Sequence, residues 1–202
     1  MNLAPSIRDA YIDTVTDALD FAFVHTQWNV VGNLDNETLD DYYLGNLTDY
    51  INALALKGVQ VVIHTWVSSY SPNWIKPLVP ELYGQKDRWQ GIDPETTNTT
   101  LLEHRNILKD SMVYYHKRLC DYFVANSLID NIRGWCLDDE TQSENWNDFF
   151  ESITEILLSY NASWKIGAMF NRYDKYHITG DAGMTCNYMD PYDQDPTFIQ
   201  KI

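Results

Sequence analysis

Five apolar runs alternate along the chain with segments whose apolar residues recur at helical spacing. The runs lie at 20–30 (DFAFVHTQWNV), 58–66 (GVQVVIHTW), 132–139 (IRGWCLDD), 164–170 (WKIGAMF) and 183–189 (GMTCNYM). Between them, Ile7, Tyr11, Val15 and Leu19 stand four apart, and Tyr43, Leu47, Tyr50, Ile51 and Leu54 share one helical face. The same period links Leu101, Leu108, Met112, Tyr115, Leu119 and Phe123, and then Trp146, Phe149, Ile153, Ile156, Leu157 and Tyr160. Strands that are apolar throughout, each followed by an amphipathic helix, imply a parallel sheet buried under helices. Two architectures satisfy this, a (β/α)-barrel and an open doubly wound sheet. No glycine-rich phosphate loop follows any run, which weighs against the second. The expected fold is therefore α/β, a (β/α)-barrel type sheet with surrounding helices. It is incomplete, with five to six β/α units in one domain over residues 1–202. A segment at 67–100 holds Pro72, Pro77, Pro80 and Pro94 and reads as one long loop.

The 202 residues suffice for one well-buried core, and 45% hydrophobic residues with 14% aromatics describe a globular chain. The net charge of −15, from 29 acidic against 14 basic residues, argues against nucleic acid and anionic membrane as partners. No run approaches the roughly 18 apolar residues of a membrane span, and the opening MNLAPSIRDAY has no apolar signal core. Cys120, Cys136 and Cys186 form neither a disulfide framework nor a CxxC metal motif. No cofactor or metal site is implied. N-x-[ST] triplets at Asn36, Asn46, Asn98 and Asn161 leave the compartment open, cytoplasmic or secreted.

The residues that close the runs are polar or aromatic. They are His25, Thr26, Gln27, Trp28 and Asn29; His64, Thr65 and Trp66; Asp138, Asp139 and Glu140; Asn171 and Arg172; and Asn187, Tyr188 and Asp190. In a barrel these ends converge on the active site. Hydrogen-bonding groups beside indole rings suit a sugar. Glycoside hydrolysis needs one carboxylic acid of raised pKa and a second carboxylate across the ring. Neighbouring carboxylates and partial burial raise a pKa, so Glu140 beside Asp138 and Asp139 has the setting of a general acid. The competing reading of DDETQSEN is an acidic helix N-terminus. Asp190 is the best second carboxylate in the chain, against a turn-forming Asp before Pro191. Trp28, Trp66, Trp74 and Trp89 are either core residues or stacking platforms, and His104 and Arg105 are expected on an exposed helix face.

The stretch HTWVSSYSPNWIKPLVPELYG followed by GWCLDDE resembles the family-42 glycoside hydrolases, the β-galactosidase family within a large clan of retaining (β/α)8-barrels. The matching positions are Ser71, Pro72, Asn73 and Trp74, then Pro80, Glu81, Leu82 and Gly84, then Gly134 through Glu140. The likeness covers residues 40–145. It implies a catalytic domain acting on a β-linked sugar, with Glu140 as acid/base and the family's sugar-binding asparagine replaced by Asp139. Asn29, Trp28, His64, Trp66, Trp74 and Tyr188 would line the cleft. The family's nucleophile is a glutamate on a later strand, and this chain has no Glu after Glu155.

Two further readings follow. A chitinase-like, substrate-assisted hydrolase would use Asp138 and Glu140 as its D-x-E and the NYMD stretch as a loose echo of a second motif. A non-catalytic carbohydrate-binding or assembly protein would have kept the barrel mouth and lost the nucleophile. In each case the partner is a carbohydrate. Open barrel edges call for a partner subunit, such as a second copy, or an unusual closure.

Overall fold

The computed structural model describes residues 12, 21–31, 39–66, 71–80, 95–141, 147–170 and 186–187; of these, 30–31, 66, 138–141, 147, 168–170 and 186–187 are described by their backbone alone. The sheet consists of β1 (Phe21–Gln27), β2 (Gln60–Trp66), β3 (Ile132–Thr141), β4 (Lys165–Phe170) and β5 (Cys186–Asn187). All neighbours are parallel, in the order β1-β2-β3-β4-β5. The helices are α1 (Trp28–Val31), α2 (Asp41–Ala55), α3 (Thr99–Ala125) and α4 (Asn147–Tyr160). The α/β alternation read from the sequence is thus realised from β1 to β4.

Local chemistry sets the boundaries. Asp40 caps α2, its Oδ1 accepting from the Tyr43 amide at 2.7 Å, and Asn98 caps α3 by accepting from Thr100 and Leu101. Both helices end in the same backbone motif. Val59 donates to the Leu54 carbonyl and Leu128 to the Phe123 carbonyl, with Gly58 (φ 75) and Ser127 (φ 58) in the left-handed region between. Each motif turns the chain directly into the next strand.

Ala22, Val24, Val61, Ile63, Trp135, Leu137 and Ile166 turn to the helices and form one core with Leu44, Leu47, Ile51 and Leu54 of α2 and Leu108, Met112, Leu119 and Phe123 of α3. The other sheet face carries an aromatic ladder. Phe21 and Phe23 stand 5.7 Å apart, Phe23 and His64 6.3 Å, and His25 and His64 4.8 Å. Arg133 is the extra residue where the register shifts between Val61↔Ile132 and Val62↔Gly134, and its guanidinium lies 5.2 Å from the Phe21 ring centre.

Three expectations change. The first strand was expected through Val30 but stops at Gln27, where Trp28 starts a helical turn. The third strand runs on to Thr141. Arg105, expected on an exposed helix face, is 3% exposed because it lies on the same stripe as Leu108 and Met112. The expected helix over 6–19 lies outside the described residues except for Ile12, which is helical and buried.

A buried polar link ties α3 to β2. His116 Nδ1 lies 2.7 Å from the Met112 carbonyl and Nε2 lies 3.0 Å from Thr65 Oγ1. A carbonyl only accepts, so Nδ1 carries the proton, and the neutral ring accepts from the threonine hydroxyl at Nε2. Burial outweighs the help of the Met112 carbonyl and lowers the His116 pKa to about 4. The unfolded ring titrates near 6.5, so the unfolded state takes up the proton first on acidification. Stability is full above pH 6.5 and should fall by about 3 kcal/mol as the pH drops toward 4. Burial also lowers the His25 pKa, which acts in the same direction. Urea midpoints from pH 7 to 4 check this, and most of the slope should vanish in His116→Gln. A second expectation concerns Gly134, where a Cβ would stand 2.0 Å from the backbone oxygen of Lys165, its ladder partner. Gly134→Ala must push β3 away from β4 and should cost about 3 kcal/mol in a chemical denaturation series.

Candidate active site

Parallel pairing brings the carboxyl ends of all five strands to one rim. Gln27 pairs with Trp66, Thr65 with Leu137, Thr141 with Phe170, and Phe170 with Asn187. The most irregular part of this rim is the acidic triplet. From Leu137↔Ala168 to Thr141↔Phe170, β3 advances four residues while β4 advances two. Asp138, Asp139 and Glu140 therefore occupy a bulge in the strand end. A bulge frees backbone from the ladder and re-aims side chains, and such bulges gather at barrel rims and next to active sites. The backbone thus places the triplet at the rim; the side chains of these three residues and of Trp66 lie outside the description.

Beside the triplet's strand, the ends of β1 and β2 carry the aromatic candidates. Trp28 is 2% exposed, edge-on to Trp74 at 6.2 Å and tilted over Tyr115 at 5.9 Å. It is a core residue, which corrects its expected role as a sugar platform: the helical turn at 28–31 folds its ring inward onto α3. Trp74 is half-buried, and its indole Nε1 is buried with no hydrogen bond among the described residues. Asn29 is half-buried, and its Oδ1 is likewise buried and unpaired among them. These two polar groups, a donor and an acceptor, come from segments joined by the Trp28–Trp74 contact. His64 is 1% exposed and sits one pleat below the rim against His25 and Phe23. In that setting it cannot offer an open face to a ligand, and it supports the rim from beneath. Tyr188, Asp190 and Trp89 lie outside the described residues.

Sequence reasoning missed the layer under the rim. Thr26 donates to the His64 carbonyl at 3.4 Å, and Thr65 is held by His116. Both threonines are fully buried. Burial pushes the Tyr115 phenol well above its ordinary pKa. The signal was present, because Tyr115 and His116 both fall on or next to the apolar stripe of α3. Among the described residues no group of three or more His, Cys, Asp and Glu side chains could hold a metal ion, and no helix is long and apolar enough to cross a membrane.

No family model matches the chain, and no curated protein matches its sequence. Solved structures do match its fold. GH5_18 from Streptomyces cattleya in complex with GlcNAc superposes with a TM-score of 0.58 at 12% identity, over 84% of this chain and 40% of the other. Cel5A from Thermotoga maritima in complex with mannotriose gives 0.52 at 14% identity, over 84% and 45%. Endo-glycoceramidase II from Rhodococcus sp. gives 0.53 at 12% identity, over 80% and 43%. The chain therefore spans less than half the length of the structures it matches. At such identities the likeness is one of fold: this chain has the α/β architecture of part of a (β/α)-barrel.

Proposed function

We propose that this chain carries the acid-bearing section of a glycoside hydrolase site for a β-linked sugar, with Glu140 as general acid/base. The observation that supports it most is the bulged end of β3, which sets Asp138, Asp139 and Glu140 on the carboxyl rim of a parallel sheet. That is where this barrel type concentrates its chemistry. A helix N-terminus needs no bulge in the preceding strand, so the bland reading of the triplet leaves this feature without a reason. Solved relatives in fold include a complex with GlcNAc and one with mannotriose. The family-42 likeness of residues 71–84 and 134–140 favours a β-galactoside or related glycan.

In this reading the Glu140 carboxyl protonates the leaving glycosidic oxygen as the bond to the anomeric carbon breaks. Asp138 and Asp139, its neighbours in sequence, tune or position it in this reading. Asp190 is the second carboxylate to test. Asn29 and Trp74, half-buried as residues, are the side chains to test for contact with the sugar.

In a second reading the same rim binds carbohydrate without hydrolysing it. Turnover of a panel of aryl and alkyl β-glycosides separates the two. Glu140→Gln should lower kcat/KM about a thousandfold for alkyl glycosides and much less for aryl leaving groups, which depart without a proton. It should also remove the basic limb of the pH profile. Equal loss across leaving groups would remove Glu140 from the acid role, and sugar binding with no turnover by the native chain would favour the binder. Asn29→Ala should raise KM by about fivefold with little change in kcat, through loss of one hydrogen bond worth about 1 kcal/mol. An unchanged KM would remove Asn29 from the sugar contacts.

A further inference from the structure

Arg105 is the only Lys, Arg, Asp or Glu that is buried among the described residues. Its guanidinium grips the second residue of α4. Nη1 donates to Asp148 Oδ2 at 2.8 Å, and Nη2 donates to Oδ1. Lys109 Nζ adds a bond to Oδ2 at 3.3 Å. The guanidinium also lies 4.7 Å from the centre of the Phe149 ring, and the Asp148 carbonyl accepts from Ser152 Oγ at 2.8 Å. Burial pulls the Asp148 carboxyl upward in pKa, but the hydrogen bonds and charges of Arg105 and Lys109 prevail and hold it below the ordinary carboxylate range.

Helix packing does not require this arrangement. An apolar pair of similar volume would join α3 to α4 at least as well, because taking an ion out of water is expensive and the attraction of its partner offsets that only in part. What a bidentate fork adds over an apolar contact is direction, since two parallel bonds fix the angle of one helix start against the other element. The place where direction is spent is informative. Asp148 lies eight positions after Glu140 in sequence, so seven residues join them, each spanning at most about 3.5 Å. The strand side of this link is held by the Thr141↔Phe170 pairing, and the helix side by the fork.

We propose that the Arg105–Asp148 fork is a positioning device for the acidic strand end. It fixes the start of α4 so that the bulge of Asp138, Asp139 and Glu140 is held from both sides. The inference rests on the proposed role of Glu140 for its catalytic meaning, but not for its physical content. Arg105 touches no substrate; it acts through Asp148.

The test is backbone amide exchange on the native chain, Arg105→Met, Arg105→Lys and the double variant Arg105→Met/Asp148→Leu, alongside kinetics on the glycoside panel. In Arg105→Met, exchange over residues 138–147 should rise about tenfold while β1, β2 and the centre of α3 change less than about twofold. With an active chain, kcat should fall about tenfold at constant KM, as expected for a misplaced acid. Arg105→Lys should recover only part of both effects, because an ammonium is a point charge without the fork. The double variant should regain the native melting temperature yet keep the fast exchange. Unchanged exchange at 138–147 in Arg105→Met overturns the proposal. So does a double variant that restores both exchange and kcat, since the fork would then be replaceable packing. If no glycoside is turned over but exchange rises locally, the positioning role stands and the hydrolase reading fails.

Discussion

Trp135 holds the structure together. It is fully buried at the middle of β3, with Phe123 and His116 of α3 at 6.0 and 5.8 Å and Trp164, just ahead of β4, at 5.7 Å. One indole thus bridges a strand, the long helix that precedes it and the start of the following strand. Its Nε1 is buried without a hydrogen bond among the described residues, a penalty that the ring's large apolar area outweighs. The rest of the helix-facing layer is arranged around this contact. Gly134, immediately before it, lets β3 approach the Lys165 backbone closely enough for Trp135 to reach Trp164.

The candidate site inherits its rigidity from that core. A parallel sheet places every strand's carboxyl end at one rim, where loops leave and polar groups can meet a ligand. In this chain the rim is braced from the helix side by neutral hydrogen bonds: Thr65 to His116 and Thr26 to the His64 carbonyl, both buried, and Tyr43 to the His25 carbonyl at 3.0 Å, part-buried. Neutral links suit this position. They fix geometry without adding charge near a set of carboxylates whose proton affinity depends on local charge. The charged link, Arg105 to Asp148, is placed further back, between two helices.

Much of the architecture was legible in the sequence because it rests on short-range rules. The face Tyr43, Leu47, Tyr50, Ile51 and Leu54 became α2, and Gly58 ended it with the positive φ that only a left-handed stop requires. The stripe from Leu101 to Phe123 became α3. The failures came from side chains whose environment lies far along the chain. Arg105 falls on the buried stripe by spacing, yet a lone arginine reads as exposed until Asp148 is seen opposite it. Trp28 looked like a rim platform because the first run continued past it; the turn at Gln27 instead folds its ring against Tyr115, 87 positions away in sequence.

What the sequence by itself determined is the alternation of strands and helices, their caps and stops, and the presence of three carboxylates at the end of a strand. Periodicity, backbone propensity and capping act over a few residues, and composition sets the charge. Only the tertiary structure decided which polar residues are buried, that β3 slips against β4 at the acidic triplet, and that Arg105 meets Asp148. Those outcomes depend on how separate segments pack. Register and desolvation are properties of pairs of segments, so no local pattern along one of them encodes them.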